Sequence, residues 1–181
     1  MTLVLTALLL ALPVDARPNT VPADEETSRP LVALHGASSR ITATRYVRVT
    51  DAKEWRSLWL EHLGVASGGL EDLAAEVPDI DFNRCMVVAL FAGSRWNSRG
   101  ISCEGIIERD AELLVRFDQL SYQTSGPDGG GEKVQPFGIF VLPRSERRIA
   151  IEENVQGLIG GPPKWKRQAE IPALGSNKRE D

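Results

Sequence analysis

Histidine and cysteine, the residues that most often activate nucleophiles or bind transition metals, occur only twice each in this chain of 181 residues. No C-x-x-C or H-x-x-x-H spacing, which zinc sites favour, is present. A G-x-S-x-G motif, which positions the serine of many hydrolases, does not occur either. The sequence therefore predicts no catalytic nucleophile, no metal site and no cofactor.

Acidic side chains offer a different chemistry, because two carboxylates can carry out general acid and base catalysis on a glycosidic bond. Asp79 and Asp81 lie just before a long apolar segment, so a carboxylate-dependent hydrolase is one alternative function. An aspartate before Phe82 is also typical of a turn, and we interpret both aspartates as structural. His62 shares a helical face with two tryptophans, which favours a place at the edge of the core.

Cys85 and Cys103 could form a disulfide if the protein is exported. A tight turn at Gly93–Arg95 would place the two cysteines opposite each other on adjacent strands. A loop tip at Arg95–Ser98 would instead move the sulfur atoms out of bonding range. Two buried free thiols are the alternative, since a free cysteine behaves as a small apolar residue. The sequence leaves both states open.

The first sixteen residues are typical of a secretory signal peptide, with an apolar run over Leu3–Leu12, then Pro13, and a small residue at Ala16. The run is shorter than the roughly 20 apolar residues that a membrane span needs. We therefore expect export to the periplasm or the medium, without stable membrane insertion after cleavage. A wrongly assigned start codon and a buried N-terminal helix are the alternatives.

Residues 17–40 are rich in proline and acidic residues, which predicts a flexible leader. A single domain is expected over residues 41–155, followed by a polar tail over 156–181 that includes the basic segment Lys164–Arg167. The chain has 21 Lys and Arg against 25 Asp and Glu, a net charge of -4. That balance lacks the basic excess of nucleic-acid-binding proteins, so no nucleic-acid partner is expected.

A helix is predicted after Asp51, which can cap its first turn together with Glu54, and before Gly64, which suits a left-handed C-terminal position. Its core-facing stripe consists of Trp55, Leu58, Trp59, His62 and Leu63. The nearly continuous apolar run over Cys85–Ala92 predicts a central strand that is covered on both faces.

Further strands are predicted over residues 41–49, 101–108, 113–119, 137–142 and 148–152. One strand, one helix and then a series of strands with short connections indicate an α+β fold. We expect one helix packed on a mainly antiparallel sheet or a partly closed barrel, with the C-terminal half rich in β-structure.

Several of these segments resemble the PrcB C-terminal-type domain family. The similarity rests on V-P-D-I-D-F-N-R-C-M-V-V-A-L-F-A-G from Val77, Gly100–Ser102, L-L-V-R-F, Q-P-F-G-I-F-V-L-P-R and the upstream E-W-R-S-L-W helix. It covers about residues 41–151, but W-N-S-R-G at Trp96–Gly100 replaces the Gly-Gly-Tyr-like turn that is common in the family.

That family is named for an accessory protein that binds and stabilises a secreted bacterial protease. The resemblance implies an exported, non-catalytic domain that contacts a protein partner, for which a secreted or periplasmic protease is the expected class. Binding could stabilise or inhibit that protease. A structural component of the cell envelope without a protease target is the second alternative.

Two loops are the expected places for partner contacts, because recognition residues commonly lie on loops that a rigid sheet supports. The loops are Ser94–Gly100 and Thr124–Lys133, and the first contains the candidate partner-binding residues Arg95, Trp96, Asn97 and Arg99. Aromatic residues and arginine dominate the binding energy of protein interfaces, so Trp96 is the strongest candidate. The opposite possibility is that its ring folds back onto the sheet as part of the core.

Overall fold

The computed structural model of the protein describes residues 26–65, 77–124, 129–157 and 161–175. The expected signal peptide over residues 1–16 lies outside these ranges. The described residues form one helix, α1 (Ala52–Leu63), and eleven strands. The strands are β1 (Thr27–Ser28), β2 (Val32–Gly36), β3 (Thr44–Val49), β4 (Cys85–Ala92), β5 (Arg95–Trp96), β6 (Ser98–Glu108), β7 (Glu112–Ser121), β8 (Lys133–Val134), β9 (Phe137–Pro143), β10 (Arg148–Asn154) and β11 (Trp165–Ile171).

Two sheets pack face to face. One has the strand order β1-β6-β7-β10-β11, and the other has the order β2-β9-β4-β3. Neighbouring strands are antiparallel except β7 and β10, which run parallel. The described strands do not close into a barrel. The protein is therefore β-rich with one helix, in agreement with the coarse α+β prediction.

Strand β4 shows why the sequence forms two cores. Met86, Val88 and Leu90 pack with residues of β6, β7 and β10, in the space between the sheets. Val87, Ala89 and Phe91 point the other way, toward Trp55 and Leu58 of α1. Because side chains alternate along a strand, only a continuous apolar run can fill both cores. The prediction of a central, doubly covered strand over Cys85–Ala92 is confirmed.

Capping residues on either side of helix α1 determine where it begins and ends. The Asp51 carboxylate accepts hydrogen bonds from the backbone amides of Lys53 and Glu54, at 3.0 and 2.9 Å. Gly64 adopts the left-handed conformation at the C-terminal end, with φ of 75°. Trp55 and Leu58 are buried as predicted, whereas Leu63 is exposed.

The N-terminal boundary of the predicted domain is wrong. Val32–Gly36 belong to β2, which pairs with β9 at an edge of the four-stranded sheet, although these residues fall in the predicted leader. Thr27 and Ser28 pair with Ile107 and Ile106 of β6. The composition was misleading because β2 carries mostly exposed side chains and is held by its backbone hydrogen bonds.

The predicted polar tail also contains a strand, because Trp165–Ile171 form β11 and pair with β10. Arg167 of this strand is engaged in ion pairs. Arg167 contacts the nearly buried carboxylate of Glu112 at 3.3 Å and Glu170 at 2.7 Å. The guanidinium of Arg116 lies 5.0 Å from the centroid of the Trp165 ring. Ion pairs and a cation–π contact thus hold a segment whose polarity predicted solvation.

Candidate functional site

The loop Ser94–Gly100 lies at the end of the sandwich where β4 ends and β6 begins. It passes from one sheet to the other, because β4 pairs with β3 and β9 whereas β6 pairs with β1 and β7. The loop therefore joins two sheets and does not close a hairpin. Within it, β5 pairs with β8, so that Trp96 stands opposite Lys133. The crossing needs the left-handed conformation of Gly93, with φ of 70°.

The Trp96 side chain is the most exposed large apolar group in the described part of the chain, with 64% of its surface accessible. Its six-membered ring lies over Gly131, where a Cβ atom would come within 3.2 Å of Trp96 Cε3. A side chain at position 131 would therefore displace the Trp96 ring. The structure places Trp96 outside the core, on a loop supported by a neighbouring backbone.

Asn97 fixes the shape of this loop. It is the only non-glycine residue with a positive φ, 52°, among those described, and asparagine tolerates this conformation better than most residues. Its side-chain oxygen accepts from the Glu132 amide at 2.8 Å, and its backbone amide donates to the Glu132 carbonyl at 2.9 Å. Its carbonyl accepts from the Tyr122 amide at 2.8 Å, and Nδ2 donates to Thr124 Oγ1 at 3.3 Å.

Because these bonds hold Asn97 in a positioning role, three of the four candidates remain: the exposed Trp96 and Arg99, and the half-buried Arg95. Arg99 is exposed, with its guanidinium carbon 5.3 Å from the centroid of the Tyr122 ring. Arg95 is half-buried and donates to the Ser94 carbonyl at 3.0 Å. We define the loop-end surface as Trp96, Arg99, Tyr122 and Lys133, with Arg95 at its border.

Sequence reasoning missed Tyr122 and included Lys133 only as the last residue of the second predicted loop, Thr124–Lys133. Thr124 and Glu132, near the two ends of that loop, are hydrogen-bonded to Asn97 of the first loop. The tyrosine hydroxyl donates to Glu132 at 3.3 Å. A tyrosine directly after a strand was the available signal, but no pattern in the sequence states which loops are neighbours.

The two cysteines are free thiols. The hairpin that would have placed them opposite each other does not form, because Cys85 is paired with Pro143 and Cys103 with Phe117, in different sheets. Burial raises the pKa of Cys103 to about 11. The thiol is therefore protonated near neutral pH and is a weak nucleophile.

The histidine and carboxylate candidates have structural environments. His62 is buried, and its Nδ1 atom lies 3.0 Å from Ser39 Oγ. The Asp81 side chain accepts from the Asn83 amide at 3.0 Å, and its carbonyl accepts from the Cys85 amide at 2.8 Å. These bonds are those of a turn. Across the described ranges, no three His, Cys, Asp or Glu side chains converge where they could hold a metal ion.

Comparison with known proteins gives no relative: no protein-family model, no curated protein and no solved structure matches this chain. Among the described helical residues, no stretch has both the length and the apolar character needed to cross a membrane.

Proposed function

We propose that this protein is an exported, non-catalytic domain that binds a protein partner through the loop-end surface. The observation that carries the proposal is the Trp96 side chain, 64% exposed on a loop that hydrogen bonds hold in place. A large aromatic ring in water is unfavourable unless a partner covers it, and tryptophan and arginine are the residues that contribute most to protein interfaces.

The rigidity of the loop supports the same function. Asn97 ties its loop to Glu132, Tyr122 and Thr124, so that little conformational entropy is lost when a partner binds. The Arg99 guanidinium already lies over the Tyr122 ring, and this cation–π contact orients it before a partner binds. The surface thus presents a preformed aromatic and cationic group.

The partner that we propose is a secreted or periplasmic protease, because the sequence resembles a domain family named for a protease-associated protein. Export is proposed from the N-terminal sixteen residues. A structural role in the envelope and a carboxylate-dependent hydrolase are the alternatives. The turn role of Asp81 gives no support to the hydrolase.

Affinity capture from the native cell envelope and medium, followed by mass spectrometry, tests the proposal. We expect a peptidase to be enriched by the wild-type chain and by Leu63→Ala, and lost with Trp96→Ala. Leu63 is a suitable control because it is also an exposed apolar residue, on α1. Equal recovery by all three chains would contradict binding at Trp96, and recovery of envelope polymer alone would favour the structural role.

A further inference from the structure

A cleft of about 610 Å³ opens at the end of the sandwich opposite the loop-end surface. It lies where β6 and β9 end and where β7 and β10 begin. Ile106, Leu113 and Leu142 form its floor, and the exposed Leu31 forms a wall. The volume lies within the range of small-molecule sites, which commonly combine an apolar floor with a few polar groups.

The rim of this cleft carries three arginines, Arg29, Arg144 and Arg147, against two carboxylates, Glu108 and Glu146. Arg29 is exposed, and its Nη1 atom donates a hydrogen bond of 2.9 Å to the Cys103 carbonyl. No ion pair involves Arg29 within the described ranges. Its guanidinium therefore has donors left for an anion.

Arg147 is paired, but weakly. Its Nη1 atom lies 2.8 Å from Glu108 Oε2, and both side chains are substantially exposed, at 41% and 65%. Exposed pairs of this kind contribute at most about 1 kcal/mol, because water screens them. A ligand carboxylate could take the place of Glu108 at little cost.

Arg144 on the rim and Arg48 behind it are hydrogen-bonded to backbone carbonyls rather than to carboxylates. Arg144 donates to the carbonyls of Thr50 and Phe82, at 3.2 and 2.7 Å. Arg48 donates to the carbonyls of Arg147 and Pro172. Their positive charges are not neutralised locally, so they add to the attraction for an anion at the cleft.

We propose that this cleft binds a small molecule that has an apolar body and a carboxylate, with the apolar part against Leu31, Ile106 and Leu113 and the carboxylate on Arg29 and Arg147. A peptide that ends in an apolar residue and a medium-chain fatty acid both have this chemistry. The proposal does not depend on the loop-end surface, which lies at the other end of the strands.

Titrations with N-acetyl-leucyl-leucine and with octanoate test the proposal on the full chain, followed by the methyl NMR signals of the cleft floor. We expect at least one acid to bind saturably and to shift the methyl signals of Ile106, Leu113 and Leu142. The corresponding amide should bind about tenfold more weakly or not at all, because it lacks the charge. Which acid binds distinguishes a peptide terminus from a fatty acid.

Three variants test where the ligand carboxylate binds. Arg29→Gln should weaken binding about tenfold, the equivalent of one charge-assisted hydrogen bond. Arg45→Gln, at an exposed arginine on β3 that does not line the cleft, should leave affinity unchanged. Glu108→Gln should strengthen binding about twofold to fivefold, because it frees Arg147 and removes a repulsive charge.

Melting curves would reveal whether Arg29→Gln alters folding. In that case, the stronger ligand binding expected with Glu108→Gln still tests the proposal. No saturable binding of either acid up to about 10 mM would overturn the proposal, since such affinity is too weak for a built site. Equal binding of acid and amide, an equal loss with Arg45→Gln, or weaker binding with Glu108→Gln would also overturn it.

Discussion

The Nδ1 atom of His62 lies 3.0 Å from the hydroxyl oxygen of Ser39, and both residues are buried. The Ile41 amide donates to the same hydroxyl oxygen at 3.1 Å, so the serine proton is available to His62 Nδ1. The Phe137 and imidazole rings pack in a T-shaped arrangement, with 4.3 Å between ring centroids. This arrangement suits a neutral histidine.

We predict that acid destabilises the fold through His62. Burial lowers its pKa from the ordinary 6.5, so the unfolded chain takes up a proton more readily than the folded chain. The stability that the neutral ring contributes is present above pH 6.5 and is lost as the pH falls through the lower folded pKa. Urea denaturation at about pH 7.5 and about pH 5 measures the loss.

Two histidine variants serve as controls for that experiment. His62→Leu should make stability less sensitive to pH over this interval, since the titrating group is gone. His35→Gln should retain the sensitivity of the wild type, because His35 is exposed on β2. The same pH dependence in all three chains would show that another group is responsible.

Removal of the Trp96 ring should leave the free energy of unfolding within about 0.5 kcal/mol of the wild type, because the ring is mostly in solvent. Trp55→Ala is the matched comparison, and we expect it to lose about 3 to 5 kcal/mol. Trp55 is 2% exposed and its Nε1 donates to the Pro78 carbonyl at 2.8 Å. Denaturant titration of both variants gives the answer, and a large loss with Trp96→Ala would place the ring in the core.

Asn97→Ala should cost about 2 kcal/mol of stability, because it loses side-chain hydrogen bonds and places alanine in a left-handed conformation. Asn97→Gly should cost about 1 kcal/mol less, since glycine adopts that conformation without strain. Denaturant titration compares the two. If alanine were as well tolerated as glycine, the backbone at Asn97 would not be left-handed in solution.

Arg167→Gln should destabilise the protein by about 2 kcal/mol, because it removes charged contacts to the nearly buried Glu112. Burial raises the pKa of Glu112, but hydrogen bonds and charge from Arg167, with further contributions from Arg109 and Arg148, outweigh it and lower the pKa overall. Arg45→Gln is the control, since its pair with Glu61 at 2.8 Å is exposed and should matter by less than about 1 kcal/mol. If thermal unfolding showed that Arg167→Gln and Arg45→Gln lose the same stability, the contacts to Glu112 would have no special role.

A thiol titration of denatured, unreduced protein should count two free thiols, because neither cysteine is bonded. In the native protein, Cys85 should react first, since it is half-buried, whereas Cys103 is buried and its pKa is raised to about 11. Cys85→Ala should remove the fast phase and Cys103→Ala the slow one. Fewer than two thiols after denaturation would show that a disulfide had formed.

The sequence predicts those parts of the fold that short-range interactions determine. Both ends of α1 follow from Asp51 and Gly64, which act on the backbone within four residues. Strand β4 is also evident, because a strand that fills two cores must be apolar throughout. These signals do not depend on which strands are neighbours.

The edge strands could not be predicted in this way. In β2 most side chains are exposed, and in β11 the charged Arg167 is satisfied by a glutamate on β7 that no local pattern connects to it. The same limit applies to the candidate site. Trp96 and Asn97 were identified by residue type, but the contribution of Tyr122 depends on a contact between two loops.

The pairing of the first strands has a consequence for how the chain folds. Val32 stands opposite Val141, and Thr27 opposite Ile107. Each N-terminal strand therefore cannot form its backbone hydrogen bonds until a much later segment of the chain has been synthesised. Contacts between distant parts of the sequence slow folding, because the intervening chain must be ordered first. A chain truncated before Phe137 would lack β9, leaving β2 without its partner and β4 with only β3 beside it. Folding of this domain is therefore expected to be a late, largely post-synthetic event, in which the beginning of the chain is among the last parts to acquire its neighbours.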